Sequence, residues 1–373
     1  MTEQVQRIEP SKRLDVLDYL RFLAAAVVLA FHYTFNGINN GKIASIDDYW
    51  PIAAVTRYGY LGVELFFLIS GFVIFNSARN KTARQFAVGR AVRLYPAFWV
   101  AVLLTALVTV VAGDASGLSV DLQQVLVNLT MMPSALGIAP VDGVYWTLLV
   151  ELKFYALVFL LILARQGARL GRLVPWWALG MLAIAVLAPD LSDLPYLGGY
   201  FPLFASGALI AETRTSGPSS LRVAGLLASA TTASLYASQS VQGMEAAKGV
   251  AYSQVAVVAL VLLFHLALLS MCWRRAASVR LPWALTFGAL TYPLYLIHAH
   301  VGYMLLSHLA TASNRLWVYP LVVTGVLGVA YLINVLVERR PKRWWFSAFD
   351  RTLGRLVGSV ERDPGENTGS TSA

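Results

Sequence analysis

The sequence predicts an all-α fold: a polytopic membrane helical bundle of about ten transmembrane helices, with both termini cytoplasmic. Three observations carry this. The chain has 373 residues, 57% of them hydrophobic and only 13% charged, where a soluble globular protein runs near ~25% charged. Its apolar residues gather in long runs, such as 17–35, 95–112 and 251–272, each close to the ~20 residues a helix needs to cross the hydrocarbon layer. Its Lys and Arg fall in alternate connecting segments. A soluble helical core is excluded, because so many long apolar helices could not all be buried in so small a protein.

The expected spans, in order, are 16–35, 57–78, 95–113, 144–164, 173–189, 197–212, 222–239, 250–272, 283–306 and 317–337. Residues 1–16 are polar and no small-residue cleavage site closes the first run, so that run is retained as a helix rather than removed as a signal peptide. Basic residues collect at the N-terminus (Arg7, Lys12, Arg13) and in segment 79–93 (Arg79, Lys81, Arg84, Arg90, Arg93). They recur in 165–172, 213–222 and 273–282, and in the segment after Glu338. The opposite loops hold only Lys42, Arg57, Lys248 and Arg315, and Arg21 and Lys153 lie within spans. A miscounted span would invert the alternation after it. The net charge of +9 is therefore a topology signal first, and no nucleic-acid partner is expected. The single cysteine, Cys272, rules out an internal disulfide.

Residues 36–56 and 114–143 form the two longest outer loops, and 121–130 reads as a short surface helix. Residues 1–345 are expected to form the membrane domain. Residues 346–373 form a cytoplasmic tail, disordered from about 363, where Pro, Gly, Ser, Thr and Asn dominate.

Function is sought where charge is costly. An ionisable side chain at the centre of a membrane helix costs ~2.5–3.5 kcal/mol, so it usually faces protein or an aqueous cavity. Arg21 and His32 are eleven residues apart, which leaves them within about 20° of each other on one helical face and about 16 Å apart along the axis. Arg21 can instead snorkel to the inner headgroups beside Asp18. His32, neutral, can take a proton from a hydroxyl, which makes it a candidate general base. In the second span Glu64 enters at a similar depth and is a candidate to orient the imidazole, with Arg57 as its alternative partner. Ser70 offers a hydroxyl, and Gly71 permits close helix packing.

Arg90 and Arg93 are i, i+3 neighbours just before the third span, where Pro96 suits a helix start. Two guanidinium forks fit a phosphate or pyrophosphate; ordinary inner-side charge against lipid headgroups is the plainer reading. On the fourth span Thr147, Glu151 and Tyr155 are spaced four apart and form a polar stripe, with Lys153 off it. On the ninth, Tyr295 and His298 are i, i+3 and point to the same cavity, and Pro293 kinks the helix. His300 and His308 are expected to be peripheral.

Taken together these segments resemble the acyltransferase-3 family of membrane O-acyltransferases. The run 17–22 followed by His32 is similar to that family's first-helix signature. Segment 66–72 (FFLISGF) resembles its second motif, 90–96 (RAVRLYP) its paired-arginine motif, 145–155 (YWTLLVELKFY) its fourth, and 292–298 (YPLYLIH) a late one. The motifs stand in family order over nearly the whole chain. Two positions depart from the pattern: Glu64 stands where Asp is frequent, and Glu151 is followed by Leu152 and Lys153 rather than a second acid.

The resemblance implies a multi-pass enzyme of the bacterial inner membrane that moves an acyl group, most often acetyl, from cytoplasmic acyl-CoA to a carbohydrate or glycosylated hydroxyl. Carried over, Arg21 and His32 are the essential pair, Arg90 and Arg93 bind the donor, and Glu151 lines the site. Ser70, Tyr155, Tyr295 and His298 are expected to contact substrate, Glu64 to support His32, and no metal is expected. A secondary transporter of a small polar or anionic solute is the alternative class, although the paired repeats and broken helices common in transporters are not seen in the sequence.

Overall fold

A computed structural model describes residues 13–49 and 51–361. The segment expected to be disordered from about 363 lies outside the described residues. Among those described, all regular structure is helical. Seven helices are long and apolar enough to cross a membrane: α1 (Asp15–Asn39), α2 (Ala53–Ala78), α3 (Ala83–Ala112), α5 (Gly143–Leu163), α6 (Gly167–Leu187), α9 (Gln254–Cys272) and α12 (Arg315–Arg339). Between them lie the short surface helix α4 (Leu122–Asn128), then α7 (Phe201–Ser216), α8 (Ser220–Lys248), α10 (Ala284–Ile297) and α11 (Ala299–Leu309). Two further helices, α13 (Lys342–Arg351) and α14 (Leu353–Glu361), follow α12. The protein is a polytopic helical bundle.

The bundle is organised around α1, α2 and α7. α1 packs on α10 and α2, and α2 packs along α7. Every residue of α7 from Phe201 to Glu212 is buried, which is why a helix of 16 residues needs no strong hydropathy of its own. Gly71 and Gly207 make the α2–α7 crossing possible. A Cβ on Gly71 would stand 2.7 Å from Phe204 Cα, and one on Gly207 would stand 2.7 Å from the Phe72 nitrogen. The close packing expected of Gly71 is thus present, and small residues let the two backbones approach.

Two helices differ from expectation. The third span does not begin near Pro96. A capping box between Thr82 and Gln85 starts the helix at Ala83, and its 30 residues extend about 45 Å, longer than the ~30 Å hydrocarbon core. Arg90 and Arg93 therefore ride on the helix itself, and Pro96 lies inside it. The ninth span is two helices, α10 and α11, which meet at His298. Pro293 has no N–H, so the Ala289 carbonyl loses its helical partner. The Asn334 side chain donates to that carbonyl at 3.4 Å instead.

Candidate functional site

The site is built from α1, α2, α3, α5 and α10, whose polar positions face one interior line. At its inner end a cavity of about 330 Å³ is walled by Arg90, Arg93, Asn334, Glu338 and Lys342. Arg90 and Arg93 also wall a second cavity of about 140 Å³, together with Arg21, Ser70, Glu151 and Tyr155. Arg21, Ser70 and Glu151 in turn wall a third, of about 60 Å³, which ends at Thr147 and Tyr295. Each cavity shares lining residues with the next, so the three lie in succession along one path, from the paired arginines past Arg21 into the bundle.

Arg21 reaches this path without a direct ion pair. Asp18, its expected partner, is held by Arg13 at 2.6 Å, and among the described residues Arg21 has no carboxylate within ion-pair distance. Glu151 sits across the same two cavities. Its Oε1 accepts from Ser70 Oγ at 2.9 Å and from Tyr155 Oη at 2.7 Å. The stripe read on α5 converges as its spacing requires: Thr147 Oγ1 and Tyr295 Oη are 2.9 Å apart, and Lys153 is exposed away from it.

The arginine pair is less symmetrical than its spacing suggests. Arg93 Nη1 donates to Glu338 Oε1 at 3.0 Å, and Glu338 Oε2 accepts from Asn334 Nδ2 at 2.7 Å. Arg90 instead lies over the rings of Phe86 and Tyr155, at 5.9 and 5.6 Å. Among the described residues no carboxylate pairs with Arg90, and Glu338 is a site residue the motif reading did not contain.

His32 stands beyond the far end of the path. α1 is α-helical to Phe31 and then winds as a π-turn over His32–Asn36, a form found mostly as single turns and frequently near functional sites. The turn brings His32 and Asn36 together against α11. Tyr303 Oη contacts His32 Nδ1 and accepts from Asn36 Nδ2 at 2.8 Å. The His32 ring is 5.0 Å from that of His298, which is 5.5 Å from that of Tyr295. Two aromatic rings thus connect His32 to the upper end of the path.

His298 is almost fully buried. Its Nδ1 hydrogen-bonds the Tyr295 carbonyl at 2.8 Å, so in the neutral ring this nitrogen carries the proton and Nε2 is a lone pair. That Nε2 has no hydrogen-bond partner among the described residues.

Two expectations about this cluster change. Neither Glu64 nor Glu151 touches His32; Tyr303 and Asn36 occupy the orienting positions. Glu64 is buried and makes no hydrogen bond to any residue of the cluster, and Arg57 lies over Tyr58 and Tyr252 rather than against it. His300 is not peripheral. It is buried, with Nδ1 on the Val141 carbonyl at 2.9 Å and its amide donating to Asp142 Oδ2 at 2.9 Å. His308, by contrast, lies at the surface, 3.7 Å from Asp114.

Comparison with known proteins follows the same outline. The model of an acyltransferase domain, that of the acyltransferase-3 family, matches residues 14–335. The chain is 32% identical over 222 residues to nodulation protein 10 of Rhizobium leguminosarum bv. viciae, which covers 52% of this chain and 58% of that one. It is 30% identical over 209 residues to the acyltransferase MdmB of Streptomyces mycarofaciens, covering 52% and 49%. To the exopolysaccharide production protein ExoZ of Rhizobium meliloti it is 36% identical over 108 residues, covering 26% and 32%. The chain therefore spans about half the length, or less, of the curated relatives it matches. No solved structure matches it.

Proposed function

The chain belongs to the acyltransferase-3 family, and from that premise we propose that it is a membrane O-acyltransferase of the bacterial inner membrane. It moves an acyl group, acetyl by preference, from cytoplasmic acyl-CoA to a hydroxyl of a carbohydrate or glycosylated acceptor at the cell envelope. The observation that carries this reading is the path from Arg90 past Arg21 to Tyr295, with His32 beyond its end. A long, thin donor suits such a path: its phosphates stay with Arg90 and the positive inner face, and its pantetheine arm and thioester advance inward.

The reaction proceeds by direct transfer. The acceptor hydroxyl enters from the outer side, and His32 removes its proton as the oxygen attacks the thioester carbonyl. For this, His32 uses the tautomer in which Nδ1–H donates to Tyr303 Oη and Nε2 holds the free lone pair. The bond to the acceptor oxygen forms, the C–S bond breaks, and the proton on Nε2 passes to the leaving CoA thiolate. Arg21, too far along the helix to touch the atoms that His32 touches, holds the donor in the path. Glu151, fixed by Ser70 and Tyr155, balances the charge of Arg21 across the cavity.

Purified protein in nanodiscs, given labelled acetyl-CoA and an oligosaccharide acceptor, tests the reading. Transfer that disappears in a folded His32→Ala variant supports it, and undiminished transfer in that variant refutes it. Labelled acyl groups trapped on His32 without acceptor would replace direct transfer by an acyl-histidine route.

A further inference from the structure

Of the four basic residues that the charge pattern leaves in the outer loops, two have evident roles. Arg315 pairs with Asp48 at 3.0 Å, and Arg57 stacks on tyrosine rings. The other two, Lys42 after α1 and Lys248 at the end of α8, come from distant parts of the chain to the His32 cluster. Lys248 Nζ donates to Asn36 Oδ1 at 2.5 Å. Lys42 Nζ donates to His300 Nε2 at 3.0 Å. Asn36 is the same residue whose Nδ2 donates to Tyr303 beside His32.

Both acceptors are neutral, and among the described residues neither ammonium has a carboxylate within ion-pair distance. Asp142 is the carboxylate whose charge Lys42 feels, but its oxygens are engaged by the amides of Val144, at 3.1 Å, and His300. Burial holds Lys42 below the ordinary lysine value despite Asp142. Burial and the neighbouring charge of Lys42 do the same to Lys248. Two partly buried ammonium groups that repel each other are costly to maintain. They stand here against the tendency of lysine to avoid outer loops. An anion between them would relieve the repulsion and gain charge-assisted hydrogen bonds.

We propose that Lys42 and Lys248 form an anion subsite on the acceptor side of His32, which binds a carboxylate or phosphate carried by the acceptor and so sets its hydroxyl at the imidazole. The inference rests on the acyl-transfer reading and narrows it: the acceptor is an acidic glycan or a phosphate-bearing one, not a neutral sugar.

The test uses the full chain in nanodiscs with labelled acetyl-CoA and three acceptors: a neutral disaccharide, its glucuronic-acid counterpart and its 1-phosphate. One of the two anionic acceptors should exceed the neutral one at least tenfold in kcat/KM, the scale of one charge-assisted bond, and the winner identifies the source of the charge. Lys42→Met and Lys248→Met should bring the ratio towards one, and Lys42→Arg and Lys248→Arg should retain most of it. Equal kcat/KM for all three acceptors, or a ratio unchanged in the Met variants, overturns the proposal. A second readout does not need turnover. Acylation of Lys42 and Lys248 by a water-soluble amine reagent, followed by mass spectrometry, should slow severalfold with the favoured anionic disaccharide and not with the neutral one. Absence of protection by either anionic probe overturns the subsite. Protection with no acyl transfer to any acceptor supports the subsite and refutes the acyl-transfer reading.

Discussion

The hydroxyl of Tyr303 meets Nδ1 of His32 across 271 residues of chain, joining the π-turn of α1 to the helix that begins after His298. In the proposed reaction this contact sets which imidazole nitrogen is free to take the proton. Tyr303→Phe removes the oxygen and keeps the ring, so the protein should fold and insert normally. General-base catalysis is worth about 10²–10⁴ in rate, and loss of the tautomer's anchor should forfeit at least tenfold in kcat with little change in KM for acyl-CoA. An unchanged kcat would mean that Tyr303 only packs.

The inner end of the path makes an asymmetric prediction. Among the described residues Arg90 has no carboxylate partner, whereas Arg93 is tied to Glu338. Arg90→Ala should raise the KM for acyl-CoA by about tenfold or more, the scale of a lost charge-assisted phosphate contact, and leave kcat nearly intact. Glu338→Gln should act in the opposite direction, because it removes a negative charge from the proposed donor entrance and frees Arg93. Donor titration at two salt concentrations checks both, and equal effects of the same sign would count against the assignment.

Close packing at the α2–α7 crossing leaves no room for a side chain. Gly207→Ala places a Cβ 2.7 Å from the Phe72 nitrogen, and overpacking of this kind typically costs ~1–3 kcal/mol. The variant should unfold at lower temperature in detergent and lose transfer activity along with its stability. Gly180→Ala on α6 meets nothing within 4 Å and should be neutral or slightly stabilising, by up to ~1 kcal/mol.

The outer lysines carry a pH signature. Burial lowers the Lys42 pKa, and burial with the charge of Lys42 lowers that of Lys248. Each therefore loses its proton at a lower pH than an exposed lysine. His300, Asp142, Tyr303 and Lys248 are the titratable groups around Lys42. Amine labelling against pH, read by mass spectrometry, should show both lysines reacting with midpoints below the ordinary value of 10.5. Saturation with the favoured anion should move the midpoints back up. A midpoint at or above 10.5 in the free protein contradicts the environment described.

Much of the interior line was legible because it obeys local periodicity. Thr147, Glu151 and Tyr155 share a face by spacing alone, and Ser70 was the hydroxyl of the neighbouring motif. Seven of the ten expected spans coincide with long apolar helices among the described residues, their ends shifted by local chemistry such as the capping box at Thr82. What the spacing did not reveal depends on the chain's return. Tyr303, Lys248 and Glu338 reach the site from helices whose register against α1 and α3 is decided by packing, and no periodicity within one helix encodes it. Glu64 shows the converse. Its depth suggested a partner for His32, but depth leaves rotation about the bundle undetermined, and α2 presents Glu64 elsewhere. His300 was misjudged for a related reason: its partners, the Val141 carbonyl and the Asp142 carboxylate, come from the loop before α5, which no spacing within its own helix reveals.

The helices after α12 bear on how this protein should be prepared. Arg84 donates to Asp350 through two nitrogens, at 2.9 and 2.7 Å, and Trp345 donates to the Val337 carbonyl at 2.9 Å. Leu353 and Val357 close a cavity of about 240 Å³ beside Arg90. The family match stops at residue 335, so a gene trimmed to that boundary would delete Glu338 and both of these helices. Such a shortened protein would keep His32, Arg21 and every recognised motif, yet lose one wall of the cavities beside Arg90. Expression boundaries for this protein belong after Glu361.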